Sequence, residues 1–285
     1  WVAGYSNLAG NTIRHAALWR NNSLTDLGTL GSANRNSNVT WSVKNTNGLV
    51  VGISQTDRLM PLGENWSCSA FFPPATATGY TCLGFVWEDG VMRRLNPLPG
   101  GNNSFATGAN NSEIVGWAEN GIRDPSCTAN NQVLQFRPTV WQARNRQVRE
   151  LPTLTGDSSG AATAINNRGQ IVGISGDCDQ AVGRYTARNA VLWDRGRIIN
   201  LGNLGAEFWN TPTAINERGD VVGFAGTPGD PEGNAFKAFI WTRGDGIKYL
   251  PPLVNLGHVD SEAYGINERG QVVGISCDIN FLDCR

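Results

Sequence analysis

One stretch of sequence recurs along the whole chain and limits what the chain can fold into. Its closest copies share an Asn-x-x-Gly segment, and every copy has a short apolar run that contains glycine. The copies are Ala164–Ser175, Ala214–Ala225, Gly265–Ser276, the more divergent Val43–Ser54 and Gly108–Ala118, and a partial copy at Trp1–Ser6. The shared glycine recurs at spacings of 48 to 64 residues. Repeats of this length are typical of propellers, solenoids and other arrays of one structural unit.

Two further blocks follow the copies at variable distances. The first is an apolar run that ends in a tryptophan, and the second is a pair of leucines three residues apart. The tryptophans are Trp19, Trp87, Trp141, Trp193 and Trp241. The leucine pairs are Leu27 and Leu30, Leu95 and Leu98, Leu151 and Leu154, Leu201 and Leu204, and Leu250 and Leu253. Because these residues repeat, we expect the tryptophans to occupy equivalent buried sites between neighbouring units.

Each repeat has the pattern of four strands. The first strand is small and apolar, as in Ala161–Ile165, and an Asn-x-Arg-Gly turn follows it. In that turn Asn166 can hydrogen-bond its own backbone and Gly169 can supply a positive φ. The second strand, which contains Gly173, and the third strand, which ends in tryptophan, are apolar on consecutive residues. This pattern predicts burial on both faces and therefore sheets that stack face to face.

The repeats predict an all-β fold, a β-propeller of four-stranded antiparallel blades with five repeats evident and a partial sixth. We interpret residues 1–285 as a single domain, incomplete at one or both ends. A ring of six or more blades is the favoured count, and the alternative is a five-bladed ring with one terminal strand outside it. Charged residues make up 16% of the chain and glycines number 35, which suits short strands and tight turns. No apolar run approaches the ~20 residues of a transmembrane helix.

The motifs resemble those of a probable extracellular repeat family named after its His-Ala-Phe motif, the HAF repeat. His15–Trp19 and Asp26–Gly31 match two of the family's blocks closely. The histidine of the eponymous motif occurs once here, and Lys237-Ala238-Phe239 is the nearest other copy. The resemblance implies secretion and a β-propeller-like architecture, and no established chemistry comes with it.

The six cysteines each follow a second strand, in segments predicted to be loops. Cys68 and Cys82 fall within one loop, Cys277 and Cys284 within another, and Cys127 and Cys178 remain on adjacent repeats. We therefore expect these three disulfides and an oxidising environment, which means a secreted or cell-surface protein. The sequence contains no pattern with zinc-ligand spacing, so no metal or cofactor is predicted; a calcium site at Asp177 and Asp179 is a minor alternative.

The connections differ in length, and this difference predicts where a ligand binds. The loops between second and third strands are long and irregular, and they share one end of the sheets with the connections between repeats. Aromatic residues and one histidine in these segments are the predicted ligand-binding residues. They are Trp66, Phe71, Phe72, Tyr80, Phe208, Trp209 and His258. The alternative is that the longest loop folds back and buries its own aromatic rings.

Three functions fit the sequence. The first is a secreted binding module that recognises a carbohydrate or an extracellular protein through the loop-rich end. The second is a glycan-cleaving enzyme that uses two of the carboxyl groups of Asp157, Glu207 and Asp260. The third is a structural subunit that self-associates. A formal net charge of -1, with acids and bases interspersed, argues against nucleic acid as a partner.

Overall fold

The structure is a computed structural model, and the chain in it is all-β. It describes residues 1–39, 48–64, 66–127, 131–179, 183–230 and 235–285, with the backbone alone at residues 66 and 67. In chain order the strands are β1 (Val2–Asn7), β2 (Arg14–Arg20), β3 (Ser23–Asp26), β4 (Ser37–Asn38), β5 (Val50–Leu59), β6 (Tyr80–Glu88), β7 (Val91–Leu95), β8 (Ser104–Ala109), β9 (Glu113–Arg123), β10 (Leu134–Gln142), β11 (Val148–Glu150), β12 (Ser159–Ile165), β13 (Ile171–Gly176), β14 (Asn189–Asp194), β15 (Arg197–Gly202), β16 (Thr211–Ile215), β17 (Val221–Gly226), β18 (Phe236–Thr242), β19 (Gly246–Leu250), β20 (Asp260–Ile266) and β21 (Val272–Cys277).

The helical content is one short helix, α1 (Trp66–Ser69), and one 3-10 turn at Val254–Leu256 in the part of the chain that the structure describes. Within those same residues, no helix is long and apolar enough to span a membrane.

The strands form six antiparallel sheets across the described residues, numbered one to six along the chain. Sheet one contains β1–β3, sheet two β4–β7, sheet three β8–β11, sheet four β12–β15, sheet five β16–β19 and sheet six β20–β21. Strands that follow each other in sequence are neighbours in every sheet, as the repeat pattern predicted. Sheet one begins at the second strand of a repeat, and sheet six contains the first and second strands.

Successive sheets stack on each other through the first strand of each repeat, which we call the inner strand. The inner strand β12 contacts β9 and β10 of the preceding sheet, and β16 likewise contacts β13 and β14. The inner strands β8, β12, β16 and β20 also contact one another in series. Every residue of β13 is consequently buried. This is the two-sided burial that consecutive apolar residues predicted.

The tryptophan block and the leucine block form one contact between sheets. Trp141 donates a hydrogen bond from Nε1 to the carbonyl oxygen of Asn96 at 2.8 Å, and Trp193 donates to that of Pro152 at 2.7 Å. Each acceptor follows the first leucine of the preceding sheet's pair. The indole of Trp141 packs in the same core cluster as that pair, Leu95 and Leu98. The two repeated blocks therefore recur together because each sheet needs both to join its neighbour.

The expectation of five equivalent buried tryptophans holds for three of them. Trp141, Trp193 and Trp241 are buried, whereas Trp87 is half-buried and Trp19 is 36% exposed. Trp19 departs from the pattern because it lies in sheet one, which has no preceding sheet stacked on it in the described residues. The exposure of Trp19 thus indicates that burial of this tryptophan requires a preceding sheet.

The Asn-x-Arg-Gly turn has two functions in the structure. Asn166 Oδ1 accepts hydrogen bonds from the backbone amides of Arg168 and Gln170 at 3.1 and 3.0 Å, and Gly169 has a φ of 73°. The turn chemistry expected from the sequence is therefore present. In addition, Asn166 Nδ2 donates to the carbonyl oxygen of Asn216 in the next sheet at 2.9 Å, and Asn110 Nδ2 donates to that of Asn166 at 2.9 Å. The asparagine amides therefore link the turns of successive sheets.

The structure contains the three disulfides expected from the sequence. They join Cys68 to Cys82, Cys127 to Cys178 and Cys277 to Cys284. The expectation that all six cysteines lie in loops is wrong for three of them, and the first of these, Cys68, lies in the short helix α1. Cys82 lies inside β6 and Cys277 is the last residue of β21, because these strands extend further than the repeat pattern predicted.

Replacing Trp193 by alanine should lower the free energy of unfolding by about 3–5 kcal/mol, because the indole is buried and hydrogen-bonded between two sheets. Urea unfolding followed by circular dichroism measures this loss. Trp19→Ala is the matched control, and its loss should be clearly smaller because that ring is partly exposed. Equal losses for the two variants would contradict the assignment of the tryptophan as an inter-sheet contact.

Candidate binding face

The long loops and the connections between sheets meet at one end of the molecule, which we call the loop face. Trp209, in the connection between sheets four and five, donates its backbone amide to the carbonyl oxygen of Arg184 at 3.1 Å. Asn210 donates in the same way to Ala187 at 2.8 Å. Arg184 and Ala187 belong to the loop between β13 and β14. These contacts show that both kinds of segment share one surface, as the strand order requires.

Phe71 and Phe72 are packing residues, and their assignment to a ligand site is corrected. Both rings are buried. The ring centroid of Phe71 lies 4.8 Å from that of Phe105 and 6.4 Å from that of Trp117. The disulfide at Cys68 holds this part of the loop against the sheets, so the loop buries its own rings, which was the alternative considered above.

Tyr80 is half-buried at the start of β6, and the guanidinium of Arg35 lies 3.6 Å from its ring centroid. Arg35 is itself held by Asp57, with 2.9 Å between Nε and Oδ1. One face of the Tyr80 ring is therefore already occupied by a cation. The side chain of Trp66, another predicted ligand contact, lies outside the described residues.

Phe208 and Trp209 lie in a cluster that we call the aromatic patch, together with residues from two sheets. Its members are Arg184, Tyr185, Phe208, Trp209, Phe224 and Phe236. The ring of Phe236 contacts Trp209 and Phe224 edge to face, with centroids 5.9 and 5.3 Å apart. The guanidinium of Arg184 lies 5.0 Å from the ring centroid of Tyr185 and 5.3 Å from that of Phe208.

Three features of the aromatic patch favour a ligand. Tyr185 is 46% exposed, and the other rings are half-buried. Arg184 Nε is buried and has no hydrogen-bond partner among the described residues, which is costly for a charged donor. Trp209 has a φ of 57°, a left-handed conformation that is an outlier for a bulky side chain and is often found at functional sites. A ligand that accepts a hydrogen bond and stacks on rings would fit this arrangement.

The sequence predicted Phe208 and Trp209 but missed Arg184, Tyr185, Phe224 and Phe236. These residues were missed because they come together only in the folded structure, where the loop that follows β13 reaches the connection that precedes β16. An Arg-Tyr pair within an irregular loop was the one clue in the sequence.

His258 is also corrected from a ligand contact to a structural residue. It is 2% exposed, and its Nδ1 lies 2.9 Å from Ser276 Oγ. Ser276 Oγ in turn accepts the backbone amide of Leu253 at 2.9 Å. The histidine therefore braces the connection that leads into β20.

The three candidate catalytic carboxyl groups occupy different environments. Asp157 accepts a hydrogen bond from Ser175 Oγ at 2.6 Å, and its side chain is 7% exposed. Asp260 is fully buried and accepts the backbone amide of Phe236 at 2.9 Å, and burial raises the pKa of its carboxyl group. Glu207 is exposed. Asp157 and Asp260 thus brace the connections between sheets, and Asp260 is closed to a substrate.

The minor calcium candidate has a different role as well. Asp177 pairs with Arg188, and that arginine also lies 3.8 Å from Asp157. Among the described residues, no group of three or more His, Cys, Asp or Glu side chains could hold a metal ion.

A pair of buried carboxyl groups, Glu64 and Glu119, was not found from the sequence. Glu119 Oε2 accepts the backbone amides of Asn102 and Asn103, each at 3.0 Å. Glu64 Oε1 accepts those of Val133 and Leu134 at 3.0 and 2.7 Å. Glu64 and Glu119 are each 1% exposed, and Glu64 Oε2 has no hydrogen-bond partner among the described residues.

Burial is the main cause that raises the pKa of Glu119 to about 7, and the negative charge of Glu64 adds to it. Hydrogen bonds from Asn103, Gln132 and Asn102 oppose the rise. Glu119 therefore keeps its proton up to about neutral pH.

Comparisons with known proteins concern the fold. No family model matches the chain, and no curated protein matches it. The structure is similar to that of a puromycin-hydrolysing peptidase of Mycobacterium tuberculosis, with a TM-score of 0.52 and 10% sequence identity. The match covers 99% of this chain and 42% of the peptidase chain. The chain thus spans less than half the length of that protein, and at this identity the similarity shows the fold alone.

Stability should fall as pH rises from about 4.5 to about 7 and then level off. In that window the folded protein retains the proton of Glu119 and the unfolded chain releases it, so the folded state binds more protons. A pKa of about 7 against an ordinary 4.5 corresponds to about 3 kcal/mol. Urea unfolding at a series of pH values measures the slope.

Glu64→Gln tests the cause of this slope, because it removes the neighbouring charge and keeps an oxygen that can accept the two amides. We expect a shallower fall with pH in this variant. Glu207→Gln, at an exposed position, is the matched control and should retain the wild-type slope. A Glu64→Gln slope equal to that of wild type would contradict the proposed coupling.

Proposed function

We propose that the protein is a secreted β-propeller that binds a carbohydrate through the aromatic patch on its loop face. Stacked four-stranded sheets with inner strands in series support the propeller arrangement. Four inner strands line a cavity of about 550 Å³, to which they contribute Thr107, Ala164, Thr213 and Tyr264. The inner strands carry small residues such as Ala164, which suits strands that converge on a central axis.

Secretion is supported by the three disulfides, which persist in oxidising compartments. Membership of the HAF-repeat family is part of the same proposal. Its support is the positions of the matching blocks: His15–Trp19 lies within strand β2, and Asp26–Gly31 begins at the end of β3.

The observation that carries the carbohydrate proposal is the buried Nε of Arg184, which has no hydrogen-bond partner within the described ranges and lies beside partly exposed rings. The apolar faces of sugar rings pack on flat aromatic side chains, and sugar hydroxyl groups accept hydrogen bonds from a guanidinium. An extracellular protein with an aromatic anchor is the alternative partner. The donor at Arg184 Nε favours the carbohydrate over the protein, because a carbohydrate offers more hydroxyl groups as acceptors.

The other two functions have weaker support. A glycan-cleaving enzyme needs two accessible carboxyl groups, and among the three candidates Asp260 is buried and Asp157 is hydrogen-bonded to Ser175. The outer strands, through which copies could associate, are short and carry exposed charges such as Arg149 and Glu150 in β11. Charged edges of this kind oppose pairing between copies.

Tyr185→Ala and Arg184→Gln should each weaken carbohydrate binding by about tenfold, which is about 1.4 kcal/mol and modest for an aromatic or charged contact. Titration of a panel of neutral and acidic oligosaccharides, followed by isothermal calorimetry, identifies a ligand and measures the loss. Trp209→Ala should weaken binding further, and its melting temperature is checked in parallel because the ring also packs on Phe236.

Two matched controls fix the location. Tyr249→Ala removes another exposed tyrosine, on the outer strand β19, and Arg168→Ala changes a turn at the opposite end of the sheets; neither should alter affinity. Loss of binding in Arg168→Ala with normal binding in Tyr185→Ala would contradict the proposal, because it would place the ligand at the turns opposite the loop face. Failure of every oligosaccharide to bind would reject a carbohydrate ligand, and released products would favour the enzyme.

A further inference from the structure

A cavity of about 300 Å³ lies between sheets four and five, at the end of the sheets opposite the loop face. Every residue that lines it is polar or charged. The lining residues are Arg168, Gln170, Asp194, Arg195, Arg218 and Arg243. They lie in or beside four turns, which are the Asn-x-Arg-Gly turns of the two sheets and the β14–β15 and β18–β19 turns. The repeat thus brings four arginines to one cavity.

Two of these arginines are paired with a carboxylate. Arg243 donates from Nη2 to Asp194 Oδ2 at 2.9 Å, and Arg218 donates from Nε to Asp220 Oδ2 at 2.9 Å. Asp194 Oδ2 also accepts a hydrogen bond from Gln170 Nε2 at 3.2 Å, which holds this carboxylate against the cavity wall. Each pair uses one aspartate, so the charges of the other two arginines remain to be balanced.

Those other two arginines have no carboxylate bonded to them among the residues that the structure describes. Arg168 donates from Nη1 to a neutral acceptor, the carbonyl oxygen of Glu217, at 2.9 Å. The carboxylate of Glu217 instead accepts the backbone and side-chain amides of Asn167 at 3.1 and 2.9 Å. Arg195 is exposed at the edge of the cavity. Two uncompensated positive charges therefore share one cavity, where they repel each other.

The arginine at position 195 also opposes the preference of its own turn. Arg195 and Gly196 form the two-residue loop of the β14–β15 hairpin, with φ values of 51° and 76°. A two-residue loop with two positive φ values favours asparagine, aspartate or glycine at its first position. The equivalent residues of sheets one and two are Asn21 and Asp89, with φ values of 48° and 49°. Sheet four thus carries an arginine that the hairpin does not favour, and such residues cluster at functional sites.

We propose that this cavity binds a doubly charged tetrahedral oxoanion, which is a sulfate or phosphate group. A dianion balances the two uncompensated charges. The planar guanidinium group binds the oxygens of such an anion through paired, charge-assisted hydrogen bonds. The volume of the cavity is at the lower end of the range for small-molecule sites, so the anionic group can belong to a free ion or to a small ester.

Sodium sulfate is the first probe, titrated at fixed ionic strength and followed by isothermal calorimetry. We expect saturable binding that weakens when the titration is repeated at higher sodium chloride concentration, because salt screens exposed charges. Acetate, which is planar and carries one charge, should bind at least tenfold more weakly. Inorganic phosphate and glycerol phosphate then distinguish the two sources of the group. Tighter binding of the ester would assign the cavity to a small phosphorylated molecule, and equal binding would assign it to the free ion.

Arg195→Asn is the decisive variant, because it removes one uncompensated charge and supplies a residue that the turn favours. It should weaken sulfate binding at least tenfold, and its melting temperature in chloride alone should not fall. Arg195→Lys keeps the charge without the planar fork and should retain part of the affinity. Arg144→Gln is the matched control, since it removes an exposed arginine from the corresponding cavity between sheets two and three, whose wall is partly apolar. This control should bind sulfate as wild type does.

Three outcomes would overturn the proposal: no saturable binding of sulfate or phosphate at tens of millimolar, equal binding by Arg195→Asn, or an equal loss in Arg144→Gln, which would indicate a general effect of surface charge. The carbohydrate proposal is tested separately. Tyr185→Ala should bind sulfate as wild type does, and Arg195→Asn should retain the affinity for a neutral oligosaccharide.

Discussion

The close approach of each inner strand to the glycine of its neighbour is the constraint on which the fold depends. At Gly173 the carbonyl of Ala161 occupies the space that a side chain would need. The register shift beside it, between Ala162 and Ala164, turns Thr163 toward the carbonyl of Val172. The inner strand can therefore consist of small residues and still be fixed in register. Because its side chains are small, successive sheets can pack closely against it.

The sheets are apolar on both faces. Each sheet therefore needs a neighbouring sheet on each face to bury its side chains. In the interior of the series this need is met, and Val172 and Val222 are fully buried. At the end of the series the equivalent Val273 is 67% exposed, and Leu253, whose counterparts pack near a following tryptophan, is 42% exposed. Apolar side chains in this protein are thus buried by the neighbouring sheet, and a sheet without that neighbour leaves them exposed.

The sequence predicted what depends on local chemistry. Asn166 and Gly169 specify a turn, the strand pattern specifies four-stranded sheets, and loop positions specify the disulfides. It could not predict properties that depend on how distant segments meet. Phe71 and His258 were predicted to be surface residues, and the prediction failed because their loops fold back in ways that no periodicity encodes. Glu119 lies in an ordinary strand pattern, and its pKa is raised mainly because its carboxyl group is buried, while the negative charge of Glu64, from a distant loop, adds to the rise. The aromatic patch likewise joins segments from two sheets.

The most direct test of this account is the free energy of unfolding of Gly173→Ala, measured by urea denaturation. A methyl group at this position would collide with backbone, which cannot move aside as a side chain can, so we predict a loss of about 3 kcal/mol. The matched substitution Gly244→Ala, where a Cβ would meet nothing within 4 Å, should have little effect. An unchanged stability in Gly173→Ala would contradict the claim that contact between inner strand and glycine holds each sheet together.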